Sequence, residues 1–340
     1  MPALPVSDSG HLYVPIDNRT SIAVFDSGGH RIATIGRQGQ GPGEFMRIKS
    51  LELSSDGDLW VFDNQLGRVT RFDAAHQLMD THPLDAVQAM GAVQAVGVDS
   101  EGSGFVTVRA SFGFSGDPSR GRPLDGAAAE SDRRLLVEYW RGTTVDDTLA
   151  ILPTAGSRFH VSVGSGATLV GQQPWSAAPR LGRRADARGI IVATPNDNGN
   201  VYLTRFGDRG PHPPTELRAQ LPTGRITREA VEDWISAFVG ELGKVQVDRG
   251  ELRKALVIPG QFPGVGRELL GFGEHAWVSL GRAWDQSEWA LVDERGHVVG
   301  SVRLPYSFRI VAAKDERLWV VTPGPFGAPV ITRYRVRLAK

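Results

Sequence analysis

Three side chains in this sequence could transfer a proton, and each also has an ordinary structural interpretation. His160 lies in an alternating run, where an imidazole could act as a general base but more often faces solvent. The hydroxyl of Tyr306 could donate a proton or simply bond the backbone. Asp63 follows a short apolar run as Asp17 does, and this repetition favours turn capping over catalysis. These three are the candidate catalytic residues.

A second set of side chains could bind a ligand by charge or by ring contact. Arginine outnumbers lysine by 33 to 5, which mutational bias largely explains, but guanidinium groups also bind carboxylate and phosphate oxygens bidentately. Two tryptophans could form the apolar walls of a pocket, or equally could pack under an insertion. The candidate ligand-binding residues are Arg47, Arg109, Arg158, Trp175, Arg282, Trp284 and Arg309. The residue pattern contains no metal-binding motif.

Composition and missing motifs exclude several classes of protein. The 340 residues include 38 Lys+Arg and 38 Asp+Glu, and this neutral balance argues against nucleic-acid binding. The absence of cysteine excludes thiolate catalysis, thiolate metal sites and disulfides. The sequence has no nucleophile elbow, no P-loop, no Rossmann fingerprint and no zincin motif. It also has no signal peptide and no apolar run long enough to span a membrane.

A repeat of short alternating runs organises the chain. The segment 10–14 returns as 57–61, and Asp26 returns 47 residues later as Asp73. Weaker copies lie at 104–106, 190–192, 276–278 and 318–320, which makes six units. Short strands separated by turn clusters at this period are typical of four-stranded propeller blades. The aromatic residues that recur at the strand centres are therefore predicted to be core: Tyr13, Trp60, Phe105, Trp277 and Trp319.

We therefore predict an all-β fold, a six-bladed β-propeller in one domain over 1–340. The blades are predicted at about 3–36, 47–84, 92–153, 180–222, 266–304 and 308–338, with a β-hairpin insertion at 154–175. A small helical insertion at 224–258 lies between blades four and five, because Thr227 is a good N-cap before apolar residues at helical spacing. If Leu4 to Ser7 forms the innermost strand of blade one, the last blade has three strands of its own, and an N-terminal piece is expected to be missing.

The segment 36–45, GRQGQGPGEF, leads into the run DGDLWVFD at 56–63. These residues resemble the NHL-type six-bladed β-propeller repeat, closely in the first two units and only at the strand centres in the others. The helical insertion resembles that of bacterial six-bladed propellers of unassigned role, which are usually exported. The resemblance implies a propeller fold over nearly the whole chain and an exported or periplasmic location. It implies little about activity, since propellers host many functions.

The default site in such a fold is the axial funnel, at the end where the chain enters the innermost strands. The first hypothesis is binding of a small anionic or aromatic ligand, or of a peptide, at this funnel. The alternatives are a metal-dependent lactonase or esterase at the same mouth and, ranked last, an NAD(P)H-dependent reductase without a Rossmann domain. The alternatives therefore include calcium or NAD(P)H as a cofactor and a protein partner at the propeller rim.

Overall fold

The structure is a computed structural model. It describes residues 3–85, 91–98, 103–110, 133–140, 144–153, 158–164, 166–183, 190–196, 200–206, 215–243, 245–266, 268–272, 275–280, 286–305, 307–325 and 328–337. Residues 111–132, within the blade predicted at 92–153, therefore lie outside the described residues. Within the described ranges, the chain is an all-β propeller with a small helical insertion.

Strands follow one another in antiparallel sheets that keep chain order. The first sheet has β1 (Leu12–Ile16), β2 (Ser21–Phe25) and β3 (Arg31–Ile35), and the second has β4 (Ile48–Leu53), β5 (Leu59–Asp63), β6 (Arg68–Phe72) and β7 (Leu78–Pro83). The third sheet has β8 (Gly91–Val98), β9 (Ser103–Ala110), β10 (Arg133–Trp140) and β11 (Thr144–Pro153). A separate two-stranded hairpin follows, formed by β12 (Arg158–Ser162) and β13 (Thr168–Gln172).

The second half of the chain repeats this arrangement around two helices. The fourth sheet has β14 (Arg180–Arg183), β15 (Ile190–Pro195), β16 (Asn200–Phe206) and β17 (Thr215–Gln220), and is followed by α1 (Arg228–Glu241) and α2 (Arg249–Ala255). The fifth sheet has β18 (Leu269–Phe272), β19 (His275–Leu280), β20 (Gln286–Val292) and β21 (Val298–Pro305). Among the described residues, the sixth has β22 (Arg309–Lys314), β23 (Arg317–Pro323) and β24 (Pro329–Arg335), in agreement with the three strands predicted for the last blade.

The sheets are arranged radially, with the first strand of each four-stranded sheet towards the axis. The innermost strands contact one another in chain order, β4 with β8, β8 with β14, β14 with β18 and β18 with β22. Burial is highest in the second strand of a sheet and low in the outer strand: β5 is buried throughout, the innermost strand β4 is buried at four of six residues, and the outer strand β21 has no buried residue. This difference explains why the repeated apolar runs of the sequence mark the second strands.

Neighbouring sheets pack face to face through separate apolar clusters. The first and second sheets share a cluster around Tyr13, Phe45 and Val61, and the fourth and fifth share one around Val201 and Val278. The aromatic residues predicted as core that the structure describes, Tyr13, Trp60, Trp277 and Trp319, are each at most 6% exposed. Burial of these faces supplies the main stabilisation between sheets, because strand hydrogen bonds lie within each sheet.

The first and last sheets meet and close the ring. Leu4 packs with Leu12 of the first sheet and with Val311 and Trp319 of the last. The N–H of Leu4 donates to the carbonyl oxygen of Val311 at 2.7 Å, and Val6 forms a bridge with Leu12. Residues 4–6 therefore lie inside β1, at the innermost position that the sequence assigned to this segment.

The hairpin and the two helices form one small apolar core, which we call the cap. Phe159, Trp175, Trp234 and Leu252 belong to its buried cluster. The N-cap predicted at Thr227 is confirmed, since its hydroxyl accepts the N–H of Ala230 at 3.1 Å. Because β11 leads into the hairpin and β17 into the helices, the cap lies at the end of the ring where the chain enters the innermost strands.

Candidate functional site

The antiparallel order of the strands gives the ring two different ends. One end carries the connections into the innermost strands, and we call it the entry end. The opposite end carries the tight turns between first and second strands, such as 54–57 before β5, and we call it the turn end. The sequence predicts that all candidate catalytic and ligand-binding residues lie at the entry end or on the hairpin beside it.

The described arginine candidates lie at three different elements. Arg47 is exposed just before β4, and Arg158 is exposed at the start of β12. Arg309, at the start of β22, forms an ion pair with Glu268, and its Nε donates to a carboxylate oxygen of Glu268 at 3.1 Å. This pair joins the fifth and sixth sheets, so Arg309 has a structural partner at the mouth.

His160 and Asp63 have different surroundings. His160 is exposed on β12, in a strand that alternates exposed and buried residues. Asp63 is fully buried, and its carboxylate accepts the backbone N–H groups of Met46, Arg47, Gln65 and Leu66 at 2.7 to 2.9 Å. These four hydrogen bonds hold the chain segment that leads into β4 and the turn that follows β5. They agree with the interpretation of Asp63 as a turn-capping residue.

Trp175 is 7% exposed and lies in the core of the cap. Its ring centroid is 6.2 Å from that of Trp234 and 6.4 Å from that of Phe262. Of the two interpretations of this tryptophan, the structure therefore supports packing under the helical insertion. The remaining candidates, Tyr306, Arg282, Trp284 and the side chain of Arg109, lie outside the described residues.

A cavity of about 490 Å³ lies at the turn end of the axis. Segments of four sheets converge on it: the turns 7–9 of the first sheet and 54–57 of the second, and the strand residues 270–271 of β18 and 312–314 of β22. A volume of this size is in the range of small-molecule sites. The sequence predicts a site at the other end, because these segments are far apart in the chain and share no motif.

Both polar and apolar groups line the cavity. The ammonium of Lys314 contacts the carboxylate of Asp8 and donates to the carbonyl oxygen of Val6 at 3.2 Å. Ser55 and Asp56 are exposed on the turn of the second sheet. Apolar surface comes from Leu4, Pro5, Leu53, Leu270 and Ala312. Carboxylate, hydroxyl and ammonium groups at one mouth can accept from and donate to the same ligand.

Tyr13 reaches from the cavity to a histidine of the second sheet. Its hydroxyl lies 3.1 Å from Nε2 of His76, and the two rings meet edge to face with centroids 5.7 Å apart. Burial raises the pKa of the Tyr13 hydroxyl. Burial also lowers the pKa of His76, with the positive charge of His11 acting in the same direction and Asp73 opposing. At neutral pH the pair is therefore held as an uncharged phenol beside an uncharged imidazole.

His76 occupies a position that other sheets give to glycine. In three sheets an aspartate accepts two N–H groups of its own turn, and the third residue after it has a positive φ. That residue is Gly29 after Asp26 and Gly296 after Asp293, with φ of 86° and 85°, but it is His76 after Asp73, with φ of 65°. A side chain is disfavoured in this region. The 47-residue repeat carries this signal in the sequence, since it makes His76 equivalent to Gly29.

Two searches of the described ranges give negative results. No group of three or more histidine, aspartate or glutamate side chains could hold a metal ion there. No described helix is both long enough and apolar enough to cross a membrane.

A protein-family model, DUF5128, described as a 6-bladed beta-propeller, matches residues 4–107. The match covers less than half of the chain and includes the first two sheets, where the NHL-like motif lies. It supports the propeller resemblance, while the likeness to the NHL repeat is approximate. Comparison with curated protein sequences gives no match.

Several solved structures are similar over most of this chain. AztD from Citrobacter koseri is 13% identical, with 98% of this chain and 86% of that chain covered and a TM-score of 0.42. A Bacteroides fragilis protein described as thought to be exported is 11% identical, with 95% and 83% covered and a TM-score of 0.47. Virginiamycin B lyase from Staphylococcus aureus is 11% identical, with 99% and 85% covered and a TM-score of 0.36. At these scores the likenesses carry no argument about function.

Proposed function

We propose that this protein binds a small hydroxyl-bearing molecule in the cavity at the turn end of a six-bladed ring. The six sheets of three or four strands support the blade count, and the matched family description agrees with it. The observation that carries the binding proposal is the convergence of segments from four sheets on one cavity of about 490 Å³.

The lining groups favour a hydroxylated ligand over a strongly anionic one. Asp8 and Asp56 are acidic, and Lys314 is already paired with Asp8, so the mouth offers no unpaired lysine to an anion. A ligand hydroxyl can donate to a carboxylate and accept from an ammonium or a serine hydroxyl, which suits a mixed lining of this kind. Apolar faces of the same ligand would contact Leu53 and Leu270.

The test is a thermal-shift screen of the whole protein, because a ligand that binds only the folded state raises the melting temperature. The panel contains sugars, polyols, sugar acids, lactones, calcium with and without chelator, and NADPH. We expect a polyol or sugar to give the largest shift. A shift with calcium or NADPH alone would contradict the proposal and favour the hydrolase or the reductase.

Two matched variants locate the binding site. Ser55→Trp fills the cavity mouth, and Ser301→Trp adds the same side chain on the exposed outer strand β21. We expect the shift to disappear in the first variant and to persist in the second. Loss of the shift in Arg309→Ala, with retention in Ser55→Trp, would instead place the ligand at the entry end.

A further inference from the structure

The contact between Tyr13 and His76 connects the cavity to a turn behind it. Tyr13 and His11 are among the residues that line the cavity, whereas His76 lies outside this lining, on the turn between β6 and β7. The hydroxyl oxygen of Tyr13 is 3.1 Å from Nε2 of His76. A ligand that hydrogen-bonds to this hydroxyl is therefore linked to the His76 ring through a single oxygen atom.

The hydrogen bond between Tyr13 and His76 has two arrangements, because a phenol both donates and accepts. If Nε2 has no proton, it accepts the hydroxyl proton, and the Tyr13 oxygen offers only lone pairs to the cavity. If Nε2 carries a proton, it donates to the Tyr13 oxygen, and the hydroxyl proton is free to point into the cavity. The protonation of Nε2 thus decides whether Tyr13 accepts from a ligand or donates to it.

The first arrangement suits the uncharged pair at neutral pH. A phenol is a better proton donor than a neutral imidazole, and an unprotonated imidazole nitrogen is a better acceptor than a phenol oxygen. The pair is therefore most stable when Tyr13 donates to Nε2 and the single ring proton of His76 is on Nδ1. His76 is only half-buried, so solvent can accept from Nδ1.

The second arrangement follows when His76 gains a proton. Tyr13 and His11 of the first sheet face the imidazole, and Asp73 belongs to its own turn. Burial and the positive charge of His11 lower the pKa of His76, while Asp73 raises it. His76 is therefore charged only in more acidic solution than an ordinary histidine. Both ring nitrogens then carry protons, and Nε2 donates to Tyr13.

The backbone of the turn also points to a role for the side chain of His76. Its φ of 65° lies in the region that equivalent turns give to Gly29 and Gly296. Side chains held in such a conformation concentrate at binding and catalytic sites. Because the ring of His76 contacts a residue of the cavity lining, the role lies at the cavity.

We propose that Tyr13 selects the ligand of this cavity by hydrogen-bond polarity and that His76 sets this polarity, an inference that rests on the proposed function. In neutral solution the Tyr13 oxygen accepts from a ligand hydroxyl, so the preferred ligand is a sugar or polyol that places a donor there. In acid, charged His76 donates to Tyr13, whose own proton turns to the cavity and favours a carbonyl or ether oxygen.

The first experiment measures the tautomer of His76 in the whole protein without a ligand. Long-range ¹H–¹⁵N correlation NMR of protein labelled with ¹⁵N-histidine distinguishes protonated from unprotonated ring nitrogens, and His76→Gln identifies the signals. We expect a protonated Nδ1 and an unprotonated Nε2 at pH 7, and loss of this preference in Tyr13→Phe. A protonated Nε2 in the wild-type protein at pH 7 would overturn the proposal, because Tyr13 would then already donate to the cavity.

The second experiment compares methyl α-glucoside with its monodeoxyfluoro analogues, because fluorine fills the place of a hydroxyl but has no proton to donate. Ligand-observed NMR measures their affinities for the whole protein at pH 7 and at the acidic pH where His76 is charged. At pH 7 we expect fluorine at one position to weaken binding about threefold to tenfold, the effect of one lost hydrogen bond. In acid this deficit should shrink to less than about twofold, since Tyr13 then donates.

Two variants assign the deficit. Tyr13→Phe should show no deficit at that position at either pH, and His76→Gln should show one that does not change with pH. Melting temperatures at both pH values show that the variants are folded.

Two further results would overturn the proposal. A deficit that persists in Tyr13→Phe would place the accepting group elsewhere in the cavity, and a pH-dependent deficit in His76→Gln would assign the pH effect to His11. Failure of the wild-type protein to bind any of the glucosides would instead count against the proposed function. The tautomer of His76, measured without a ligand, decides the Tyr13 assignment independently of that result.

Discussion

The pair formed by Tyr13 and His76 combines a hydrogen bond with a backbone conformation that histidine seldom adopts. His76 has a φ of 65° where equivalent turns use glycine, and its ring contacts Tyr13 of the neighbouring sheet. A single turn residue thus connects the first and second sheets beside the cavity. The local cost of the conformation is offset by the contacts that the side chain makes.

We expect His76→Gly to be more stable than His76→Ala by about 1 kcal/mol. Both variants lose the hydrogen bond to Tyr13, but only glycine adopts a positive φ without steric cost. Urea unfolding monitored by tryptophan fluorescence measures the difference. The equivalent glycine offers a control, since Gly29→Ala at a φ of 86° should be destabilising as well. Equal stability of the glycine and alanine variants of His76 would show that the turn is not strained.

The low pKa of His76 predicts a stability that falls in acid. Because its pKa is lowered on folding from the ordinary value of 6.5, the unfolded chain binds the proton more readily. Its contribution is therefore complete above about pH 6.5 and is lost as the pH falls towards the lower folded pKa. We expect the free energy of unfolding of wild type to decrease more between pH 7 and pH 5 than that of His76→Gln. Parallel pH profiles of the two proteins would contradict this assignment.

At the scale of elements, the innermost strands approach one another more closely than side chains allow. A Cβ atom at Gly182 of β14 would lie 2.4 Å from the carbonyl oxygen of Leu269 in β18. This oxygen belongs to the backbone, so it cannot rotate away as a flexible side chain could. The glycine therefore sets the spacing between the fourth and fifth sheets at the axis.

We expect Gly182→Ala to destabilise the protein by about 1–3 kcal/mol, because the two strands must move apart to accept the methyl group. Gly164→Ala is the matched control, since a Cβ atom there meets nothing within 4 Å and the residue has no positive φ. Chemical unfolding of both variants measures the effect. A cost at Gly182 no larger than at Gly164 would show that the inner strands adjust freely.

At the scale of the whole molecule, ring closure depends on burial at the junction of the first and last sheets. Leu4 is 4% exposed in the cluster that both sheets share, whereas Asp8, which pairs with Lys314, has a side chain that is 93% exposed. Buried apolar contact is the larger of the two effects, because water screens an exposed ion pair.

We accordingly expect Leu4→Ala to cost about 2–3 kcal/mol of unfolding free energy and Asp8→Ala to have no measurable effect. Hydrogen exchange of β1 and β22 provides a local readout, and both strands should exchange faster in the leucine variant. If Asp8→Ala destabilised the protein as much as Leu4→Ala, the ion pair between Asp8 and Lys314 would hold the first and last sheets together as strongly as apolar burial does.

The sequence predicts the strands well because their pattern is local. The repeat from Tyr13 to Trp60 and the N-cap at Thr227 depend on neighbouring residues, and the structure confirms both. The cavity depends on residues such as Ser55 and Lys314, which are brought together only by the closed ring. Local patterns carry no information on such convergence, which is why the sequence predicts a site at the entry end and not at the turn end.

The cap is a single packed unit whose parts follow the third and the fourth sheets in the chain. Its hairpin follows the third sheet and its helices connect the fourth to the fifth, and a side chain between them, Gln173, bonds the backbone of Ala255 and Val257. The cap thus links three consecutive sheets along the chain, whereas the junction of the first and last sheets lies on the opposite side of the ring. The cavity takes most of its lining from the first, second and sixth sheets, so we expect its width to change when the junction of the first and last sheets moves. A molecule that contacts both the first and the sixth sheets would hold them together and slow that motion.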